Sequence, residues 1–172
     1  MKNFFPYDSV ELSENARELI VLDQSLLPNQ EKFLHITTAE QIFFAITLLK
    51  VRGEQAIGLA ATLGLAMCMN RYRTKDLFAF EKEYFRVKRY LYISRNYAMG
   101  LMKGLDRMER CYYESRSKDV PDKELIEHIK KELIAEACAM KLENIKTCLS
   151  IAENGYSLMK PGVGVLTWSN AG

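Results

Sequence analysis

Two short stretches near the start of the chain have strand-like patterns, an apolar run in the first and alternation in the second. Glu18-Leu19-Ile20-Val21-Leu22 and Lys32-Phe33-Leu34-His35-Ile36 read as strands, and Leu27-Pro28-Asn29 marks the turn between them. Together they predict a small antiparallel sheet. From Thr38 onward the apolar period lengthens to that of a helix. Thr38 and Gln41 have capping-box spacing, so hydroxyl and amide can each satisfy an exposed N–H. Ile42, Ala45, Ile46 and Leu49 mark one face of this first helix, and Gly53 is expected to close it as the C′ residue. A second helix is predicted from Ala56 to Met69. Its Gly58, Ala61, Gly64 and Ala66 carry little bulk, so it should be almost wholly buried with neighbours close to its backbone. A third helix opens at Thr74 or Asp76 and runs through Tyr92, with Leu77, Phe80, Tyr84, Val87 and Leu91 at helical spacing. A fourth spans Asn96 to Glu114. A fifth, capped by Asp122, continues past Ile151 using Leu125, Ile129, Leu133, Ala137, Met140 and Ile145.

The texture then changes. Gly155, Pro161, Gly162 and Gly164 break the helical pattern, and Val163 to Trp168 reads as a buried strand. A single apolar strand here suits the first strand of a parallel sheet with helices to follow. The predicted fold class is mainly α (α+β), a small amino-terminal antiparallel sheet followed by five helices. Residues 1–154 form the sheet-plus-helical domain. Residues 155–172 form a linker and the first strand of a truncated Rossmann-like domain.

Composition narrows the class. The 172 residues can hold one ordinary domain or one domain plus the start of a second. Hydrophobic residues at 48% and charged residues at 27% suit a globular protein with a sizeable core. A net charge of +2 does not point to nucleic acid, and Arg86, Lys88 and Arg89 are interleaved with Val87 and Tyr90 as on a solvated helix face. No run approaches the roughly 18 to 20 apolar residues of a membrane helix. Met1-Lys2-Asn3-Phe4-Phe5-Pro6 breaks too early for a signal peptide. Cys68, Cys111, Cys138 and Cys148 form no CxxC pair and sit in apolar helical patterns, so buried free thiols in a reducing cytoplasm are expected. With His35 and His128 as the only histidines, no metal site is expected, and no cofactor is implied.

Four ordered segments carry a family resemblance. Leu22-Asp23-Gln24-Ser25-Leu26-Leu27-Pro28 looks like LLDQxxLP, and Val51-Arg52-Gly53-Glu54-Gln55-Ala56-Ile57-Gly58 looks like VRGAPAIG. Ser94-Arg95 followed by Leu105-Asp106-Arg107-Met108 falls where an SRPTAVNL segment runs on to DRM. Gly155, Leu158, Gly162 and Val165-Leu166-Thr167-Trp168-Ser169-Asn170-Ala171-Gly172 look like HGAxLI…VLTHCNAG. These segments resemble the methylthioribose-1-phosphate isomerase family, which is related to ribose-1,5-bisphosphate isomerases and to the regulatory subunits of the initiation-factor-2B exchange complex. The resemblance covers the amino-terminal part of that family.

The resemblance implies an aldose–ketose isomerase of methionine salvage, converting 5-methylthioribose 1-phosphate to 5-methylthioribulose 1-phosphate. It implies a phosphorylated pentose substrate, a homodimer in the full-length protein, and a site between a helical domain and a Rossmann-like one. Arg52, Gly53 and Arg95 match substrate-binding positions, and Glu54 lies beside them. The chemistry agrees, because guanidinium groups hold phosphate bidentately and the start of a helix favours an anion. Two plainer roles compete: an arginine at a helix end can neutralise terminal carbonyls, and one before a helix can pair with a nearby acid.

Three departures bear on activity. Ser169 replaces the family's cysteine, to which an acid/base role is assigned, and a hydroxyl ionises far less readily than a thiol. The second catalytic group, an aspartate, falls beyond residue 172, so this chain alone is expected to be inactive. Glu54-Gln55 replaces Ala-Pro. A carboxylate suits an empty helix start, but at about 5 Å and an effective dielectric of about 20 it repels a phosphate by about 3 kcal/mol per charge pair. Pointing away, Glu54 costs nothing; pointing inward, it opposes phosphate. Asn96 for proline after Arg95 also loosens that loop. The alternative expectation is a degenerate, non-catalytic member acting as a sugar-phosphate- or nucleotide-binding or regulatory subunit.

Overall fold

The computed structural model describes residues 8–95, 97–117, 119–164 and 166. Three strands, β1 (Val10–Leu12), β2 (Leu19–Leu22) and β3 (Phe33–Ile36), form an antiparallel sheet in sequence order. Val10 pairs with Val21 and Leu12 with Leu19; on the other side Leu19 pairs with Ile36 and Val21 with Leu34. Because side chains alternate across a strand, these residues line one face. That face meets the helices. His35 lies on the opposite face, where its Nδ1 is 3.1 Å from the Glu18 carboxylate. The two expected strands are present; β1, only three residues long, is an addition.

Five α-helices follow: α1 (Ala39–Thr47), α2 (Glu54–Arg71), α3 (Leu77–Tyr92), α4 (Met99–Ser115) and α5 (Asp122–Tyr156), with a 3₁₀ turn at Ile93–Arg95. The expected capping box opens α1. Thr38 Oγ1 accepts from the Gln41 N–H, and Gln41 Oε1 accepts from the Thr38 N–H. Helix α2 is the hub, touching the other four helices and strands β1 and β2. It is buried on nearly every side, which explains why its sequence lacks an amphipathic stripe. Gly58 makes close approach possible. A Cβ there would lie 2.9 Å from both the carbonyl carbon and oxygen of Gly100 in α4.

Helix α3 packs its expected apolar face inward, and α4 also buries one face. Phe80, Tyr84, Val87 and Leu91 of α3 and Leu101, Leu105, Met108 and Tyr112 of α4 are buried. The rings of Tyr84 and Tyr112 stack with centroids 4.5 Å apart. Ion pairs secure the helices from outside. Arg107 of α4 binds Glu136 and Glu143 of α5, and Lys88 of α3 binds Asp106 and Glu109 of α4. Helix α5 is 35 residues long, about 50 Å at the usual rise. Its buried residues stop at Ala137, so its second half runs beyond the core.

Several local expectations are corrected. Gly53 does not close α1: it is the N-cap of α2, and Leu49 is the C′ residue of α1, with φ 55°. Asp122 is the first residue of α5 rather than its cap; its Oδ2 accepts instead from the Leu77 N–H at 3.2 Å, at the start of α3. Cys148 is exposed and the other three cysteines are only partly buried. Burial pushes the Cys68 thiol up to about 12, so that thiol stays protonated and inert. Helix α5 continues through Tyr156, so Gly155 lies in its last turn. Of the strand expected at 163–168, residues 165, 167 and 168 lie outside the described residues, as does Ser169, while Val163 and Leu166 are exposed.

Candidate functional site

The segment between α1 and α2 is built by hydrogen bonds rather than by apolar packing. At the end of α1 the Lys50 N–H reaches back to the Ala45 carbonyl at 2.9 Å and the Leu49 N–H to that of Ile46 at 3.2 Å, a Schellman closure. That closure needs a left-handed residue at 49, a conformation costing a leucine about 1–2 kcal/mol. Val51 then turns into the core, 1% exposed, and Arg52 turns out. Gly53 follows with φ 88°, a value that favours glycine, and α2 begins at Glu54.

The two residues after β2 grip this segment. The buried Asp23 carboxylate accepts from the Lys50 ammonium at 2.6 Å. Its other oxygen accepts from the Ser25 N–H at 3.1 Å and the Ser25 hydroxyl at 2.5 Å. Burial pushes this carboxyl up, but the hydrogen bonds from Lys50 and Ser25 outweigh it and hold it below the ordinary carboxylate value. Gln24 donates its N–H to the Lys50 carbonyl at 2.9 Å, and its Oε1 accepts from the Arg52 N–H. Asp23 and Gln24 belong to one of the motifs quoted above, yet spacing gave no sign that they hold another motif 28 residues away.

Arg52 is exposed. Its Nε donates to the Leu49 carbonyl at 3.1 Å, and among the described residues it forms no ion pair. Immediately after it, α2 starts with no side-chain cap on Gly53, leaving first-turn N–H groups without an intrahelical partner. Arg95 is half-buried in the 3₁₀ turn before α4, its guanidinium carbon 5.1 Å from the centre of the exposed Tyr97 ring. It too forms no ion pair among the described residues.

Glu54 links the two regions. Its Oε1 accepts from the Gly100 N–H at 2.9 Å, capping the first turn of α4, whose own N-cap Ala98 has no side chain to do so. A Cβ on Gly100 would lie 2.8 Å from the Glu54 carbonyl oxygen, so the contact needs a glycine. The starts of α2 and α4, which follow Arg52 and Arg95, are therefore tied together. The carboxylate is committed to α4 rather than paired with either arginine. Of the other charged positions read from sequence, Arg86 and Arg89 lie on an exposed face as expected, Arg86 pairing with Glu83 of its own helix, while Lys88 reaches Asp106 and Glu109 of α4.

The described grooves lie elsewhere. One of about 740 Å³ runs between α4 and α5, lined by Arg107, Cys111 and His128 among others; a second of about 810 Å³ lies along α3. Neither is lined by Arg52, Gly53, Glu54 or Arg95. Among the described residues no group of three His, Cys, Asp or Glu side chains is placed to hold a metal, and no helix is long and apolar enough to cross a membrane.

Comparison with known proteins follows the same lines. The profile of the Initiation factor 2 subunit family matches residues 50–172. The chain is 42% identical over 164 residues to methylthioribose-1-phosphate isomerase of Parabacteroides distasonis, an alignment covering 95% of this chain and 47% of that protein. It is 38% identical over 163 residues to 5-deoxyribose 1-phosphate isomerase of Petrotoga mobilis, covering 95% and 45%. Among solved structures, 5-methylthioribose 1-phosphate isomerase from Pyrococcus horikoshii superposes with a TM-score of 0.71 at 27% identity, over 78% of this chain and 36% of that one. The delta subunit of translation initiation factor eIF-2B from A. fulgidus superposes at 0.77 and 21% identity, over 90% and 42%, a likeness of fold. The chain thus spans about half the length of the curated relatives it matches.

Proposed function

The chain belongs to the Initiation factor 2 subunit family, and from that premise we propose that it is the amino-terminal, substrate-gripping portion of a cytoplasmic aldose–ketose isomerase acting on a 5-substituted or 5-deoxy ribose 1-phosphate. The observation that carries this reading is Arg52. It is exposed, free of any ion pair among the described residues, and set directly before an uncapped helix start across a glycine with φ 88°. A guanidinium beside unpartnered first-turn N–H groups is chemistry suited to a phosphate. Arg95, leading into the helix start that Glu54 ties to α2, is the second cation. The names of the relatives, methylthioribose- and deoxyribose-1-phosphate isomerases, supply the substrate class.

In this reading the grip is separate from the chemistry. Hydrogen transfer between C1 and C2 needs an acid/base pair. In the family pattern one member is the cysteine at the Ser169 position, and the other, an aspartate, has no match in this sequence. This chain alone should bind the sugar phosphate and turn it over negligibly. Serine at the thiol position favours a second reading, a non-catalytic sugar-phosphate-binding or regulatory member.

Isothermal titration with ribose 1-phosphate tests the grip. Binding should weaken about tenfold in Arg52→Ala and in Arg95→Ala, the loss of one charge-assisted contact each. Equal affinity in both variants and the unaltered chain refutes it. Restoring cysteine with Ser169→Cys in the longer protein separates the readings: a rise in turnover supports the enzyme, and none supports the binding subunit.

A further inference from the structure

The loop that carries Arg52 is not specified by its own sequence. Its shape depends on Leu49 at φ 55°, a conformation that leucine avoids. Left to local preferences, the chain after α1 would leave in another direction and take Arg52 and the start of α2 with it. Something distant must hold it, and the contacts identify what does. Lys50 is held by its ammonium on Asp23 Oδ2 and by its carbonyl on the Gln24 N–H; Arg52 is held by its N–H on Gln24 Oε1. Three bonds from two adjacent residues fix both ends of a three-residue stretch.

The holder is itself rigid. Asp23 directly follows β2, whose last residue Leu22 pairs with Phe33 of β3, and the Asp23 N–H donates to the Lys32 carbonyl at 2.8 Å. With one oxygen on Lys50 and the other on Ser25, and 1% of its surface exposed, Asp23 has no oxygen left for a ligand. Gln24 has its amide oxygen on the Arg52 backbone. The Asp23 carboxylate is thus closed to a ligand, and the Gln24 oxygen is committed to the loop.

We propose that Asp23 and Gln24 are positioning residues, which transmit the rigidity of the sheet to the Lys50–Gly53 loop and so hold Arg52 and the start of α2 in an anion-binding geometry. This rests on the reading of Arg52 given above and deepens it. The fourfold-motif resemblance gains a physical account: one motif is the scaffold of another. An ordinary structural staple would make the same bonds, so the distinguishing prediction concerns affinity at matched stability.

The probe is inorganic phosphate, titrated into the full 172-residue chain and followed through the backbone amide signals of Arg52 and Gly53. Gln24→Met keeps the length of the side chain and removes the acceptor; Asp23→Asn removes the charge that holds Lys50. Ile36→Val, in the core behind β3, is the control for a general loss of stability. Both loop variants should weaken phosphate binding about three- to tenfold, a loss of roughly one hydrogen bond's worth of preorganisation, while Ile36→Val binds as the unaltered chain does. Exchange of the Arg52 amide with solvent should quicken in Gln24→Met alone. If Arg52→Ala abolishes phosphate binding but Gln24→Met and Asp23→Asn leave it unchanged, the positioning role is wrong and the anion site stands. If phosphate binding does not depend on Arg52 at all, the site and the positioning role fall together.

Discussion

Replacing Gly58 by alanine tests whether the α2–α4 contact sets the site. Alanine in a helix interior is worth about 1 kcal/mol over glycine, so a substitution judged on propensity alone is stabilising. The neighbourhood reverses that. The new methyl would lie 2.9 Å from both the carbonyl carbon and oxygen of Gly100, and 3.4 Å from the Leu101 nitrogen. These are backbone atoms of another helix and cannot rotate away. The helices must part by about half an ångström, and overpacking of this kind costs roughly 1–3 kcal/mol. Parting also stretches the 2.9 Å bond from the Gly100 N–H to Glu54, a cap worth about 1 kcal/mol. The net expectation is a loss of about 2 kcal/mol, and for a chain of this size a fall in Tm of about 4–8 °C.

Two further alanines calibrate the result. At Gly64 the closest atom is Ile42 Cδ1, 2.5 Å from the added methyl. That is the end of a side chain, which can change rotamer, so the propensity gain and the strain should nearly cancel. At Gly155 nothing lies within 4 Å, and the change should fall within about 0.5 kcal/mol of the original. Urea unfolding followed by far-ultraviolet circular dichroism ranks the three. If Gly58→Ala is as stable as the unaltered chain, or if Gly64→Ala is the worse of the two, the rigid backbone contact is not what holds α2 to α4.

Two other outcomes follow from the same contacts. Asp23, held below its ordinary carboxylate value, contributes stability that is complete above that value, about 3.8, and is lost as pH falls through the lowered one. Asp23→Asn should therefore lower stability by about 2 kcal/mol at neutral pH, less than for a fully enclosed pair because Lys50 is about one-third exposed. It should also flatten the acid limb of a pH–stability curve measured between about pH 2 and 6; an unchanged limb would contradict the assignment. Glu54→Ala should lower Tm by a few degrees through loss of the α4 cap. Loss of the tie between the two helix starts weakens phosphate binding while loss of the carboxylate's repulsion strengthens it, so at high salt, where the repulsion is screened, affinity should fall. Unchanged affinity at high salt would show that the tie does not pre-organise the grip.

Most of the fold was legible because its elements obey local rules. The capping box at Thr38 and Gln41, the apolar ladder Phe80–Tyr84–Val87–Leu91 and the apolar strand patterns of β2 and β3 each state their structure within a few residues. Where reading failed, a residue satisfied two rules at once or its partner lay far away. Gly53 sits between two helices, and its positive φ suits either the end of one or the start of the next. The true left-handed residue, Leu49, is one that propensity would pass over. β1 is too short to show a period. Cys148 looked buried because α5 keeps an apolar pattern after it has left the core. The site divides in the same way. Arg52 and Arg95 were found through motifs, but the bond from Gln24 to the Arg52 backbone and the reach of Glu54 to Gly100 are relations across 28 and 46 residues.

These long-range relations explain how a helical domain can present two cations from separate segments. Arg52 and Arg95 stand on different segments, each at the lead into a helix. Two independent leads would fluctuate separately, and a phosphate held by both would bear the entropy of bringing them together. Here the leads are joined before any ligand arrives. Gly58 lets α4 approach α2 at backbone distance, Glu54 ties the two starts, and Asp23 with Gln24 ties the first to the sheet. The framework is thus braced at both helix starts. Of the departures from the family motif, Glu54 is the one that changes how the two helix starts are joined, its carboxylate holding the Gly100 N–H rather than meeting either arginine.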